Sequence, residues 1–188
     1  MNPRRQPNWE ERYAQPGCCC GREPVDFLRE HLDELPRGAA LDLAMGEGRN
    51  ALFLAQHGFS VTGIDSSPTG VAKAEARARE QGLRLKTIVA NLESYALPVE
   101  EFDVVLCCYY LQRSLFPQME RALKQGGALL VQTLTVEQLQ FSTGPRNREH
   151  LLEPNELYRA FRHLRVAYYR EVVRGERAVA SLLAYRAP

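Results

Sequence analysis

The residues best equipped for chemistry lie between Leu41 and Asp65. The stretch Leu41 to Asn50, LDLAMGEGRN, is an apolar strand carrying one carboxylate, Asp42, that enters a turn punctuated by Gly46 and Gly48. Asp65 follows nineteen residues after Gly46, at the end of a second apolar run. At the carboxyl edge of an open α/β sheet such a turn offers backbone N–H groups to a small ligand, and an acid on the next strand offers an acceptor to a hydroxyl. Gly46-x-Gly48-x-x-Ala51 with Asp65 satisfies the dinucleotide fingerprint. Asp42 weighs against it, because a carboxylate at that strand end repels a pyrophosphate.

A cationic ligand gains from the same carboxylate. S-adenosylmethionine carries an ammonium and a sulfonium, its carboxylate can use N–H groups at a helix start, and its ribose diol needs an acceptor such as Asp65. The plainer reading makes Asp42 a capping or turn acid and Asp65 an N-cap. A nicotinamide-dependent oxidoreductase and a non-catalytic module that binds S-adenosylmethionine are the competing functional readings.

Alternating strands and helices must position these groups. Residues 1–24 hold four prolines and form a polar arm with a short helix around Trp9 to Ala14. Helical spacing runs from Val25 to Leu35 and stops at Pro36. A strand, Ala39 to Ala44, leads through the turn to a helix, Arg49 to His57, capped by Gly58. Val61 to Asp65 is the second strand, and Ser67-Pro68 starts a helix that Gly82 ends. Strands follow at Leu85 to Val89 and Asp103 to Cys108, then a helix at Ser114 to Leu123, then the strand ALLVQTLT after Gly126-Gly127. A polar loop, Phe141 to Arg148, precedes a helix from Pro154 to His163. Arg165 to Val173 and Arg177 to Tyr185, joined through Arg174-Gly175-Glu176, form an antiparallel hairpin. The expectation is one α/β domain over 1–188 with a mostly parallel sheet.

With 24 basic and 23 acidic residues, net charge +1 and 45% hydrophobic residues, the composition points to no nucleic-acid partner. The opening MNPRRQPNWEERY lacks an apolar core, and no apolar run approaches the roughly 18 residues of a membrane span, so a cytoplasmic protein is expected. Cys18, Cys19, Cys20, Cys107 and Cys108 lack C-x-x-C spacing, which predicts free thiols and no metal site.

Leu41 to Asn50, with LFLAQHGFSVTGIDSS behind it, resembles class I S-adenosylmethionine-dependent methyltransferases, in particular the TehB-like group named for tellurite resistance. The resemblance covers roughly residues 9 to 186 and extends to Asn91-Leu92, FDVVLCCYYL (102–111), LKQGG (123–127) and LLEPNEL (151–157). It implies a Rossmann-like fold with a seven-stranded sheet, a C-terminal antiparallel hairpin and helices on both faces. It further implies that Ala44, Met45 and Gly46 wrap the methionine end of the cofactor, with Asp42, Asn50 and Ser66 among the binding residues. By the same resemblance Asp65 takes the ribose hydroxyls, Asn91 and Leu92 border the adenine, backbone near Cys107 faces the amino group, and Arg12 and Tyr13 fold over the cofactor. Ala44 stands where the pattern has Gly, which the turn tolerates only with negative φ. Asn91 replaces Asp.

Methyl transfer from a sulfonium needs an acceptor lone pair held near the methyl carbon, so positioning and water exclusion carry much of the catalysis. Tyr109 and Tyr110, just past the fourth strand, are candidates to orient a small-molecule acceptor or to serve as packing. The cysteines suggest a thiol, a chalcogen oxyanion or an arsenical as acceptor. Against that, neighbouring side chains in an extended segment splay apart, which makes the triple incidental. The hairpin connection lacks the His of the tellurite enzymes, leaving Arg174 and Arg177 as solvated charges or anion contacts. A monomer or a homodimer is expected.

Overall fold

The computed structural model describes residues 8–187; residues 1–7 of the expected arm, and residue 188, lie outside them. Seven strands form one sheet: β1 Ala39–Leu43, β2 Ser60–Asp65, β3 Lys86–Val89, β4 Phe102–Cys108, β5 Leu123–Leu134, β6 Arg165–Arg174 and β7 Arg177–Tyr185. Their order is β3-β2-β1-β4-β5-β7-β6, with β7 antiparallel to both of its neighbours and the other pairs parallel. The hairpin turn is Gly175-Glu176, with Gly175 at φ +56°.

The helices are α1 Trp9–Tyr13, α2 Asp26–Glu30, α3 Arg49–Gln56, α4 Pro68–Glu80, α5 Phe116–Ala122 and α6 Glu156–Phe161. Strand alternation sorts them onto two faces. Val104, Leu106 and Cys108 of β4 pack with Phe27 and Leu28 of α2, Leu54 of α3 and Ala74 of α4. Val105 and Cys107 pack on the opposite side with Met119 of α5 and Phe161 of α6. Most of these helices are too short to hold their shape in isolation. Burial holds them: each fully enclosed side chain such as Leu28 or Phe161 contributes roughly 1.5–3 kcal/mol.

The expected elements are present with shifted ends. The helix expected from Val25 stops at Glu30, where His31 leaves helical geometry (φ −110°), and continues as a 3₁₀ turn over Leu32–Glu34. A 3₁₀ turn at Arg113–Leu115 precedes α5, and α6 begins two residues after Pro154 because Asn155 is left-handed (φ +57°). Strand β5 starts at Leu123 rather than Ala128, since Leu123 pairs with Phe102 before the register shifts at the glycines. Between β3 and β4 the chain crosses as a loop, with Leu92, Tyr95 and Leu97 packed where a crossover helix would lie.

Candidate functional site

Strand order reverses between β1 and β4, and crevices outside the carboxyl ends of strands at such a switch point are where open α/β sheets bind ligands. A cleft partly open to solvent lies there. Its floor is the turn after β1, with Ala44, Met45, Gly46 and Asn50; one wall is Asp65 and Ser66 after β2 with Asn91 and Leu92 after β3. Tyr109 and Tyr110 after β4 form the facing wall, and Trp9 and Tyr13 of α1 close over it. Sequence reasoning thus named most of the lining.

Asp65 organises the floor. It is buried, its Oδ2 accepts the Gly46 N–H at 2.8 Å, and its Oδ1 accepts the Ser67 N–H at 2.9 Å. Burial raises its pKa above the usual carboxylate value, and these backbone donors oppose the rise. Asp65 is not the cap of α4: the Ser67 hydroxyl does that by accepting the Gly70 N–H at 3.0 Å.

Ala44 departs from expectation. Its φ is +54°, in the left-handed region, where an alanine costs roughly 1–2 kcal/mol. The conformation is imposed from outside, because the Met45 N–H donates to Ile64 O at 3.0 Å and the Gly48 N–H closes back on Met45 O at 3.0 Å. Tyr109 is likewise left-handed, φ +58°, so two strained non-glycine residues end neighbouring strands at the cleft.

Three candidates stand off the cleft wall. Asp42 lies behind the turn, 1% exposed, and accepts the Ala51 N–H in the first turn of α3. It acts there as a capping acid for that helix, and its Oδ2 has no partner. Burial pushes its pKa up to about 7, against the Ala51 bond and the nearby Arg49 charge. The electrostatic case against a pyrophosphate loses force accordingly, since the group is shielded and only partly ionised. Cys107 is fully buried toward α5, its thiol reaching Tyr110 O at 3.6 Å, and Cys108 takes its place on the lining. Arg12 is exposed and lies over the Trp9 ring at 4.6 Å.

The Asp42 geometry carries a pH prediction. The folded carboxyl keeps its proton to about pH 7 while the unfolded one loses it near pH 4, so between those values the native state binds more protons and this group's contribution to stability falls as pH rises. Asp42→Asn is expected to remove that slope. Chemical denaturation of both proteins at about pH 5 and about pH 8 checks it, and parallel pH profiles would refute the assignment.

Sequence reasoning missed Glu47, Arg49 and Trp9, which also line the cleft, as does Cys20 of the cysteine-bearing arm. Glu47 is buried, pairs with Lys73 at 3.1 Å, and accepts from the Cys18 thiol at 2.8 Å and the Cys19 N–H at 3.0 Å. Its hydrogen bonds outweigh burial and hold its pKa below the usual value. The available signal was a charged residue between two turn glycines. Arg49 and Arg177 lie over the Tyr109 ring at 5.6 and 5.5 Å, and Arg177 donates to the Tyr109 hydroxyl at 3.3 Å. Arg177 is therefore tied to the site rather than loose on the hairpin. Arg113 is held by Glu156 at 2.6 Å and by the carbonyls of Glu149 and Leu151.

No described helix is long and apolar enough to cross a membrane, and no group of three or more metal-ligating side chains occurs among the described residues. Residues 40–127 match the family model for a methyltransferase domain. The chain is similar to the ribosomal protein L11 methyltransferase of Thermus thermophilus, 34% identical over 112 residues, covering 58% of this chain and 43% of the relative. It spans about half the length of the curated relatives it matches. Among solved structures, TehB from Haemophilus influenzae superposes with a TM-score of 0.72 at 21% identity, covering 87% of this chain and 62% of that one. The geranyl diphosphate C-methyltransferase of Streptomyces coelicolor, solved with S-adenosyl-L-homocysteine, gives 0.69 at 16% identity over 85% of this chain and 74% of that one. Sheet order, switch-point cleft and family match agree on one conclusion, that residues 40–127 are similar to a methyltransferase domain and lie on the fold that the solved methyltransferase structures share.

Proposed function

We propose that the protein is an S-adenosylmethionine-dependent methyltransferase acting on a small-molecule acceptor. The observation that carries this reading is the convergence of the Ala44–Gly46 turn, Asp65, Asn91-Leu92 and Tyr109-Tyr110 on one cleft. The residues present fit the cofactor. Each Asp65 oxygen spends one lone pair on a backbone N–H and keeps another for a ribose hydroxyl. The Asn91 Oδ1, expected to accept from the adenine amino group, already accepts the Glu93 N–H at 3.0 Å, so its amide NH₂ is the group left to donate toward an adenine nitrogen. Leu92 supplies an apolar contact for the base, and the turn holds the methionine end.

Bound, the cofactor supplies a methyl group activated by a sulfonium. The chain contributes position and shelter. The Tyr110 hydroxyl donates to Gln112 at 2.6 Å, and burial pushes its pKa up to about 12, so at neutral pH it orients an acceptor as a neutral hydrogen-bonding group rather than as a base. Tyr109, gripped by Arg49 and Arg177, shares that wall and brings positive charge to it. Trp9 and Tyr13, stacked at 5.6 Å, cover the donor.

Thermal denaturation with S-adenosylmethionine, S-adenosylhomocysteine and NADH added separately tests the donor. The two sulfur nucleosides are expected to stabilise, by about 2.7 kcal/mol at a hundredfold excess over Kd. Stabilisation by NADH alone would overturn the proposal. Turnover on a panel of thiols, metalloid oxyanions and amines tests catalysis, and tight donor binding without turnover would favour a binding module.

A further inference from the structure

The arm after α1 does not run extended through its cysteines. Gly17 and Gly21, at φ +86° and +80°, bracket Cys18-Cys19-Cys20 and fold the segment into a turn. Cationic side chains pin its backbone: Lys73 donates to Gln15 O and Gly17 O at 2.9 Å each, Arg49 to Cys20 O at 2.8 Å, and Arg77 to Arg22 O at 3.3 Å. Glu47 anchors it from below through Cys18 and the Cys19 N–H. In that clamped turn the Cys19 and Cys20 Sγ atoms lie 3.1 Å apart, both residues are exposed, and Cys20 lines the cleft beside Trp9. The splaying expected of adjacent side chains does not occur, because the turn replaces the extended backbone that would cause it.

We infer that Cys19 and Cys20 form a preorganised dithiol site for a trivalent arsenical at the lip of the cleft. Two sulfurs this close suit a soft centre bridged between them. The spacing exceeds the roughly 2.05 Å of a disulfide, so the pair is unbonded. Zinc is a poorer match, since it takes four ligands and the described residues offer no cluster of three or more. Cys18 is not the partner: its thiol is already committed to Glu47 at 2.8 Å and Gly21 O at 3.0 Å.

The capture balances without an oxidant. Each Sγ–H bond breaks as an S–As bond forms and an As–O bond breaks, each thiol proton leaves with that oxygen as water, and arsenic stays trivalent. Burial, then Cys20 and Glu47, push the Cys19 thiol up to about 12, so it is protonated at neutral pH. A protonated Cys19 is slow in thiol–disulfide exchange, which requires a thiolate. A hydroxyl ligand on arsenic can accept its proton.

The inference goes beyond methyl transfer, since capture needs only the two thiols. The chain's one tryptophan, Trp9, lines the same cleft and reports occupancy by fluorescence. Titration of the reduced 188-residue chain with phenylarsine oxide is expected to change Trp9 emission at one equivalent, to give one phenylarsine adduct by intact mass, and to be reversed by dimercaptopropanol but not by a monothiol. Cys19→Ser and Cys20→Ser should each weaken binding by about 100-fold or more through loss of the chelate, while Cys18→Ser binds as the parent does. Equal binding by the Cys19→Ser or Cys20→Ser proteins, or loss only in Cys18→Ser, would overturn the site. S-adenosylmethionine titrations of the same variants report donor binding independently, so failure of one reading leaves the other measurable.

Discussion

Replacing Asp65 with alanine is expected to lower affinity for S-adenosylmethionine by about 100-fold, and to lower folding stability by roughly 2–4 kcal/mol. The first figure follows from the pair of charge-assisted hydrogen bonds to the ribose diol that the proposed function assigns to Asp65. The second follows from the floor of the cleft, where the Gly46 and Ser67 N–H groups would lose their acceptor in a buried setting. Asp65→Asn should not rescue, because each carboxylate oxygen faces a donor and the amide NH₂ would confront one of them. Calorimetric titration with the cofactor and urea denaturation separate the two effects. Wild-type affinity in the alanine variant would remove Asp65 from the binding site.

Gly46→Ala is expected to cost about 1–3 kcal/mol of stability and to weaken cofactor binding about tenfold or more, more than alanine costs two residues earlier. Both positions are left-handed, at φ +54° for Ala44 and +55° for Gly46, so the backbone penalty is similar. The difference lies in what the new methyl meets. A Cβ on Gly46 would sit 2.5 Å from the Tyr13 hydroxyl and 3.1 Å from its ring carbon, and Tyr13 is only 6% exposed. Either α1 withdraws from the cleft or the turn shifts, and a shift of the turn disturbs the Gly46–Asp65 bond. Tyr13→Phe removes the atom in closest collision and should recover part of the loss. A double-mutant cycle with denaturation and cofactor titration measures the coupling, expected at about 0.5–3 kcal/mol; strict additivity would show that the two do not meet.

Much of the fold was legible because its signals are local. Hydrophobic spacing marked the strands and helices, Ser67-Pro68 marked the start of α4, and the Arg174–Arg177 connection marked the hairpin. Errors collected at element ends, where a tertiary bond decides the last residue, as when pairing with Phe102 draws Leu123 into β5. The lining of the cleft was legible from the same cause, since strand ends and the turns after them face one edge of the sheet.

The sequence by itself determined the β1–turn–α3 unit, the acid ending β2, and therefore a ligand-binding edge with a methyltransferase pattern. Tertiary structure alone decided how individual side chains are used. Asp42 sits on the α3 side of the strand and caps that helix instead of facing the cleft, a matter of which way one side chain points at a strand end. Arg177 reaches Tyr109 across 68 residues of chain, and Glu47 reaches Cys19 across 28. Such contacts leave no trace in local spacing, because they depend on where the sheet order and the arm's turns bring distant segments together. LDLAMGEGRN thus announces the binding edge, and the arm clamped upon it supplies the paired thiols that the linear pattern had set apart.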